Sequence, residues 1–371
     1  MTARTTKTAD FRCRRVTLAL LALVLLLGCG TAPIDSDAGQ TKADTTAATD
    51  TTAAADTNSG AGADIHTLDD VLRVNHIQAK GTHNSFHLKN AAKVIPEWDY
   101  EFAPLDVQLD KQGVRQLEID VHYVPGTPTS RTAKATWQVF HVPFVDPKSS
   151  CPTLTACLTL VKTWSDAHNG HHLLFLLIEP KDDLDAEKIA GHYDELDAAI
   201  LAVWPKDRLL RPDDVRGSHK TLRAALEANG WPTLGQTRNK AMFVMLDSGA
   251  HRTNYLKDHP NLEDRVIFAR GGLGESWGAV VETSDVKQVG EAVKLGYLVR
   301  SKADDPNASD ADNTQRSTAL LAAGSHILSS DVPVAKGDKA YWFDVPGGAP
   351  SGCNPVSAPA GCTAKAVEAL P

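Results

Sequence analysis

Residues 172–178 read HLLFLLI, a histidine followed by six consecutive apolar residues. An uninterrupted apolar run of this length is typical of a strand that is buried on both faces, as in a parallel sheet flanked by helices. Similar short runs recur along the chain, and together they make eight: 76–82, 115–120, 136–142, 172–178, 240–246, 265–269, 296–300 and 325–329. The sequence therefore predicts eight strands in a mainly parallel arrangement.

Helical stretches separate several of these strands, and they lie at 154–167, 186–203, 221–229, 285–294 and 314–323. Eight strands with helices between them favour the α/β class and a TIM-type (β/α)8 barrel. A doubly wound open sheet is the alternative, but no glycine-rich phosphate turn follows the first predicted strand. We expect the barrel to occupy 65–371, with the Gly- and Pro-rich tail from Val332 onward as a covering loop.

Residues 1–28 have the order of an export signal. Basic residues precede an apolar run at 16–27, which is too short to span a bilayer as a helix. The run ends in Leu26-Leu27-Gly28-Cys29, which is typical of a lipobox, where the cysteine becomes the lipidated first residue of the mature chain. An ordinary signal peptide with an incidental cysteine is the alternative. We expect an exported, membrane-anchored lipoprotein that faces the cell exterior or the periplasm.

The next segment, 29–64, consists mainly of Thr, Ala, Asp, Ser and Gly and has one bulky apolar residue, Ile34. Such a composition buries too little apolar surface to offset its ordering entropy, so we expect a disordered tether. The formal charge of −8 becomes −12 without the signal and about −7 for the barrel region alone. A net negative charge of this size argues against a nucleic-acid-binding protein, which typically carries a basic surface. Nothing in the sequence implies an obligate protein partner.

Four of the six cysteines form two close pairs along the chain, Cys151 with Cys157 and Cys353 with Cys362. Disulfides persist in exported proteins, so we expect two local disulfides. Metal binding by these four cysteines is the alternative. The pairs lie about two hundred residues apart without matching histidines nearby, which argues against it.

Catalytic groups of such a barrel lie at the C-terminal ends of its strands and in the loops that follow. The first four predicted strands carry six polar residues at or near those ends: His83, Asn84, Glu118, Asp120, His141 and Glu179. Glu118 and Asp120 stand two residues apart on one strand, so their side chains point to the same face, the barrel lumen. Because like charges are not buried together without a cation, we expect a cation between them.

Three carboxylates and an amide oxygen form a set of hard oxygen donors, which suits Ca²⁺, or Mg²⁺ when water fills more positions. Zn²⁺ would more naturally recruit the histidines. His83 and His141 therefore stay available for acid–base work and for stabilising a negatively charged transition state. Lys181 and Arg300 also end predicted strands and are candidates for binding substrate phosphate, with a surface ion pair as the alternative for each.

The polar residues lie in four recognisable segments, GTHNSFH (81–87), GVRQLEIDVH (113–122), FHVPFVD (140–146) and LLFLLIEPK (173–181). The order His-Asn, Glu-x-Asp, His, Glu resembles the calcium-dependent phosphoinositide-specific phospholipases C, in particular their bacterial secreted branch. The segments GYLVRSKAD, HILSSDVPV and PGGAPSGCNPVSAPAGC are similar to that branch as well. The resemblance therefore covers nearly all of 70–365.

This resemblance implies a PLC-like phosphodiesterase barrel that cleaves a phosphoinositide, or a related phosphodiester lipid, with the help of calcium. The products it implies are diacylglycerol and a cyclic inositol phosphate. It assigns four residues as calcium ligands, namely Asn84, Glu118, Asp120 and Glu179. It makes His83 and His141 the catalytic pair, and the general base either Glu118 or Glu179.

Three other functions remain open. A glycerophosphodiester phosphodiesterase uses a similar barrel, but that family typically carries His-Arg-Gly where this chain reads His83-Asn84-Ser85. A sphingomyelinase-like lipase on the same barrel is the second. The third is an inactive surface binding lipoprotein, and the completeness of the six-residue set argues against it.

Overall fold

The computed structural model describes residues 68–90, 95, 98–126, 135–181, 189–337, 339–348 and 350–368. The predicted export signal, the lipidation site Cys29 and the tether lie outside these residues. All described residues belong to one compact unit of the chain, Gly60–Pro371. None of the helices in these ranges has the length and apolar character needed to cross a membrane.

The strands of the described residues are β1 (Ile77–Thr82), β2 (Gln116–Val124), β3 (Thr136–Gln138), β4 (Leu174–Pro180), β5 (Ala241–Met245), β6 (Ile267–Ala269), β7 (Val280–Glu282), β8 (Leu298–Lys302), β9 (Ile327–Ser330) and β10 (Ser351–Cys353). Eight of them form one path of parallel neighbours in the order β6-β5-β4-β2-β1-β9-β8-β7. A parallel bridge between Arg270 and Val280 brings the two ends of this path together. The predicted TIM-type barrel is confirmed.

One of the eight predicted barrel strands is wrong. The segment 136–142 forms only the short strand β3, which pairs antiparallel with the last residues of β2 as the second arm of a hairpin outside the barrel. The barrel strand that the sequence analysis missed is β7, which has three residues. His141 therefore lies in the loop after β3 and does not end a barrel strand.

The helices of the described residues are α1 (Leu105–Lys111), α2 (Leu154–Ala167), α3 (Tyr193–Leu201), α4 (Pro212–Arg216), α5 (Leu222–Asn229), α6 (Leu234–Thr237), α7 (Ala250–Leu256), α8 (Val286–Lys294), α9 (Asp310–Ala322) and α10 (Ala364–Val367). The predicted helix at 154–167 has both bounds correct. The Thr153 side chain caps its first turn and so fixes where it begins. Helix α9 begins four residues before its predicted start, where the Ser309 hydroxyl caps it. The start of the predicted helix at 186–203 falls partly outside the described residues, and α3 is shorter.

The tail after β9 ends at the N-terminal face of the barrel. Its strand β10 pairs antiparallel with the first half of β1. Beyond α10, the buried Glu368 forms an ion pair with Arg115, which immediately precedes β2. The two predicted disulfides, Cys151–Cys157 and Cys353–Cys362, are both present, and the second fixes the tail beside β1.

Candidate active site

The three predicted carboxylate ligands converge at the C-terminal ends of β2 and β4. Asp120 lies directly opposite Glu179 in this parallel pair, and Glu118 precedes Asp120 by two residues on the same face. The three residues place one oxygen each within 4.8 Å of one another. Burial raises the pKa of Glu118, and it raises that of Asp120 well above its usual range, because the charged forms lose water. Such a cluster is costly unless a cation lies beside it.

Arg300, on β8, contacts this cluster through Glu118. Its Nη2 donates to Glu118 Oε2 at 2.8 Å, and its other nitrogens donate to Glu282 and Ser329. The side chain is only 6% exposed. Its predicted role in holding substrate phosphate is untested, and these contacts indicate that its guanidinium orients Glu118.

Lys181 supplies a second cation at the end of β4. Its Nζ lies 2.7 Å from Glu179 Oε1 and 3.6 Å from Asp120 Oδ2. These carboxylates raise the pKa of Lys181 despite its burial, which by itself lowers it. The ammonium group therefore lies among the predicted metal ligands.

Asn84 follows β1 with a backbone φ of 49°, in the left-handed region that asparagine tolerates better than most residues. Its side chain is buried, and its Nδ2 donates to the Tyr100 hydroxyl at 3.4 Å. Among the described residues, Asn84 Oδ1 and both carboxylate oxygens of Asp120 have no hydrogen-bond partner. Buried oxygens without a partner are rare in folded proteins, and these three belong to two of the predicted calcium ligands.

His83 lies between Asn84 and the end of β1 and is held by Asp331, the first residue after β9. Its Nδ1 lies 2.8 Å from Asp331 Oδ1, and its Nε2 lies 3.8 Å from Glu118 Oε1. The second carboxylate oxygen of Asp331 is 3.3 Å from Lys302 Nζ. Burial alone would raise the pKa of Asp331, but His83 and Lys302 hold it below its ordinary value. The imidazole is therefore oriented with Nε2 toward the carboxylate cluster.

His141 is held in the same way by Asp146, five residues further along the chain. Its Nδ1 lies 2.9 Å from Asp146 Oδ2, and its ring packs edge-on against Trp98. Burial lowers the pKa of His141 below its ordinary value of 6.5, and the hydrogen bond to Asp146 opposes that change. Asp146 also contacts His87, which faces the Tyr100 carbonyl, and the Tyr100 hydroxyl accepts from Asn84, so these contacts connect the His141 loop to the other predicted residues.

Asp146 is fully buried and binds more than one histidine. His87 Nε2 lies 2.8 Å from the same Oδ2, while Asn90 Nδ2 donates to Oδ1. The other nitrogen of His87 faces the Tyr100 carbonyl at 3.0 Å. A hydrogen-bonded chain thus connects the His141 loop with the segment that follows Asn84.

A family model described as calcium-dependent phosphoinositide phospholipase C matches residues 72–126 and 124–355 of this chain. The chain belongs to this family. The phospholipase C is therefore an enzyme of the phosphodiesterase class with Ca²⁺ as its cofactor, and the sister families considered from the sequence are set aside. No curated protein sequence matches it significantly.

Solved structures of bacterial enzymes agree with the barrel of this phospholipase C. A Ca²⁺-dependent phosphatidylinositol-specific phospholipase C from Streptomyces antibioticus is 21% identical, with a TM-score of 0.53 over 70% of this chain and 95% of that one. A calcium-dependent enzyme from a Pseudomonas species is 18% identical, with a TM-score of 0.53 over 77% and 96%. The same Pseudomonas enzyme in its myoinositol complex covers 76% and 96%, also at 18% identity and a TM-score of 0.53. At these identities the likeness shows the fold.

The residues of the phospholipase C fit a calcium ion. Calcium prefers six to eight oxygen ligands from carboxylates, amide carbonyls and water. The three clustered carboxylates supply such oxygens, and the unpartnered Asn84 Oδ1 and Asp120 oxygens are acceptors that a cation would satisfy. His83 and His141 each direct Nδ1 to a carboxylate outside the cluster. The candidate calcium ligands are therefore all oxygen atoms.

Sequence reasoning missed the residues that hold the two histidines. Asp331 follows a predicted strand, but its pairing with His83 spans 248 residues. His87 supports the His141 loop through its contact with Asp146. A signal for this was present in the sequence, since His87 in GTHNSFH and Asp146 in FHVPFVD lie in the same segments as the predicted site residues His83 and His141.

Proposed function

We propose that the protein cleaves phosphatidylinositol at its phosphodiester, releasing diacylglycerol and a cyclic inositol phosphate. One observation carries this proposal: three carboxylates within 4.8 Å of one another share the barrel mouth with two carboxylate-held histidines. A phosphodiester with a neighbouring hydroxyl needs a base for that hydroxyl, an acid for the leaving oxygen and positive charge at the phosphate. The site contains residues for all three.

Asn84, Glu118, Asp120 and Glu179 would hold the calcium ion. Bound calcium supplies Lewis-acid chemistry, lowering the pKa of the attacking inositol hydroxyl and neutralising charge at phosphorus. Glu118 or Glu179 would accept the proton of that hydroxyl. Each of these carboxylates already has one oxygen in an ion pair, with Arg300 and Lys181 respectively.

The two histidines have separate proposed roles. His83 would donate a hydrogen bond from Nε2 to the phosphate oxygens as charge develops there, because Asp331 fixes its Nδ1. His141 would protonate the leaving diacylglycerol oxygen from Nε2, with Asp146 stabilising the charged ring. Lys181 is the proposed contact to the substrate phosphate.

We further propose that the enzyme works at a membrane surface, exported by residues 1–28, lipidated at Cys29 and spaced by a tether at 29–64. The sequence pattern of those residues supports the anchor. Phe144, in the loop between His141 and Asp146, is 94% exposed and suits contact with lipid acyl chains. A test of the anchor is incorporation of labelled fatty acid in cells, which Cys29→Ser should abolish.

The activity is tested by release of water-soluble inositol phosphate from phosphatidylinositol vesicles by the purified full-length protein. We expect release in Ca²⁺, none in excess chelator, and a loss of at least about a hundredfold in His83→Ala. The matched control is His219→Ala, because the His219 ring contacts Asn229 on an outer helix and should not affect turnover.

Other outcomes would redirect the assignment. Turnover of glycerophosphodiesters or sphingomyelin in place of phosphatidylinositol would contradict the proposed substrate. Absence of turnover on all three, with the fold intact by circular dichroism, would support a binding lipoprotein.

A further inference from the structure

Lys181 occupies an unusual position for a cation, inside a cluster of predicted metal ligands. Its Nζ is 2.7 Å from Glu179 Oε1 and 3.6 Å from Asp120 Oδ2, and its side chain is only 14% exposed. Both carboxylates belong to the group whose oxygens lie within 4.8 Å of one another. The ammonium group and a metal ion would therefore share the same oxygen ligands.

The backbone fixes the base of this side chain but leaves its end adjustable. Lys181 directly follows β4, and its N–H donates to the Val121 carbonyl at 2.9 Å, which extends the pairing of β4 with β2. The four-carbon stem of lysine is flexible, whereas a guanidinium in a fixed fork is not. Arg300, the other cation at the cluster, is held by Glu118, Glu282 and Ser329 together.

Arg300 and Lys181 would both repel an incoming divalent ion, but they contact different carboxylates of the cluster. Like charges a few ångströms apart repel strongly at a partly buried site, where the effective dielectric is low. Arg300 binds Glu118 through Oε2, whereas Glu118 Oε1 lies 3.8 Å from His83 Nε2. Lys181, in contrast, pairs with Glu179 and lies 3.6 Å from Asp120 Oδ2, an oxygen that has no hydrogen-bond partner among the described residues.

We propose that Lys181 is a tethered counter-ion that competes with calcium for Glu179 and Asp120 and thereby weakens calcium binding. This inference rests on the proposed calcium site. Calcium entry then requires the ammonium group to leave the carboxylates, so affinity is lower than the three carboxylates alone would give. A weakened site matches an exported protein, since extracellular calcium modules bind with dissociation constants of about 10⁻⁴ to 10⁻³ M.

The test is calorimetric titration of Ca²⁺ into the full-length protein and its Lys181→Met variant, without substrate. We expect the variant to bind Ca²⁺ about tenfold more tightly or better, because the competing charge is gone. In chelator, the variant should unfold at a lower temperature than the wild type, since its carboxylates lose their counter-ion. Ca²⁺ should remove this difference.

A matched control is Lys302→Met. Lys302 is also a lysine at a barrel strand end, but its Nζ pairs with Asp331, which is outside the carboxylate cluster. The Lys302→Met variant measures the general effect of removing one positive charge from the C-terminal end of the barrel. Its Ca²⁺ affinity should differ from that of the wild type by less than about threefold, as expected for a screened charge.

The outcomes separate the two proposals. Calcium binding by the wild type with equal or weaker binding by Lys181→Met would overturn the counter-ion role and leave the calcium site standing. Absence of calcium binding in wild type and variant alike would contradict the calcium ligands themselves. Should Lys181→Met fail to fold, Lys181→Gln keeps a hydrogen bond to Glu179 without the charge and gives the same comparison.

Discussion

Each candidate catalytic histidine presents Nδ1 to a carboxylate, His83 to Asp331 and His141 to Asp146. An ionised carboxylate only accepts hydrogen bonds, so each ring donates from Nδ1 and has Nε2 left for the substrate. The carboxylate also stabilises the ring when it is charged. Both rings are therefore oriented before a substrate arrives.

Asp146→Asn should lower kcat about a hundredfold or more while KM changes much less. The amide keeps the shape, but it removes the negative charge and can donate to Nδ1, which favours the wrong tautomer. The alkaline limb of the pH profile should also move to lower pH, because His141 acts as an acid only while it is protonated and the carboxylate raises its pKa. Steady-state kinetics on phosphatidylinositol across pH measures both effects.

A suitable control for this prediction is Asp166→Asn, since Asp166 forms an exposed helical ion pair with Lys162. It should leave both kcat and the pH profile unchanged. A normal kcat in Asp146→Asn with an unshifted alkaline limb would show that Asp146 only supports the loop.

At the scale of single residues, the sequence predicted which carboxylates meet, because the strand ends of a barrel lie at one face. Glu118, Asp120 and Glu179 were found this way, and the structure clusters them. Lys181 and Arg300 were named as strand-end cations, but their carboxylate partners were not predicted, nor were the partners of the histidines. Ion pairs depend on distances between segments that can be far apart in the chain. Arg300 and Glu118 illustrate this, at a separation of 182 residues.

Among the elements, long apolar runs were predicted well and short ones were not. Strand β4 is buried along nearly its whole length, so its apolar run was unmistakable. Strand β7 has three residues, of which only the first is buried, and gives almost no signal. Strand β3 alternates between exposed and buried residues, a pattern typical of a half-exposed hairpin strand that was interpreted as a barrel strand.

The loop 140–146 gives a prediction about membrane contact. Phe144 sits at its tip with a φ of 64° and is 94% exposed. Phe144→Ala should weaken binding to phosphatidylinositol vesicles about tenfold or more, because burying a phenylalanine is worth about 1.5–3 kcal/mol. Sedimentation with vesicles measures this, and turnover of a soluble short-chain substrate should stay normal.

Leu295→Ala is the control for this loop, since Leu295 is 51% exposed just after α8. Equal loss of vesicle binding in both variants would mean that exposed apolar area in general, and not this loop, mediates contact.

The tail contributes to stability at the opposite end of the barrel. Burial alone would raise the pKa of Glu368, but Arg115 lowers it to about 2. Glu368→Gln should therefore lower the free energy of unfolding by about 3–5 kcal/mol at neutral pH, because Arg115 stays buried without its partner charge. Denaturant unfolding measures this, and the cost should fade as pH drops from the ordinary 4.5 toward 2, where wild-type Glu368 itself becomes protonated.

Glu227→Gln provides the comparison for the tail. Glu227 pairs with Arg223 on a helix surface and is 67% exposed, so its loss should cost less than about 1 kcal/mol. A similar small cost for Glu368→Gln would contradict the importance of the buried pair.

For the whole molecule, the two ends of the barrel serve different purposes. At the C-terminal end, buried oxygens of Asn84 and Asp120 have no hydrogen-bond partner within the described residues. This lowers stability but leaves these oxygens available to a ligand. At the N-terminal end, buried charges and histidines are paired, as Glu368 is with Arg115. This division is the one expected of enzymes built on such barrels.

The buried His326 makes the stability of the whole molecule depend on pH. The Val299 N–H donates to its Nδ1, while its Nε2 donates to the Asn75 carbonyl, so only the neutral ring fits. Burial lowers its pKa from 6.5 to about 4. Because the unfolded chain then binds the proton more readily, stability is highest above pH 6.5 and falls as pH decreases toward 4.

We expect this histidine to contribute up to about 3 kcal/mol of acid destabilisation between those pH values, at about 1.4 kcal/mol for each unit of pKa shift. His326→Asn removes the titrating group, so it should be less stable than the wild type at pH 7.5 but lose less stability on acidification. Denaturant unfolding at pH 7.5, 6, 5 and 4 gives the difference between the two proteins at each pH. The comparison is necessary because Asp197, whose pKa burial raises to about 6, acts in the opposite direction in both proteins. A constant difference across this range would show that His326 is not held neutral by the fold.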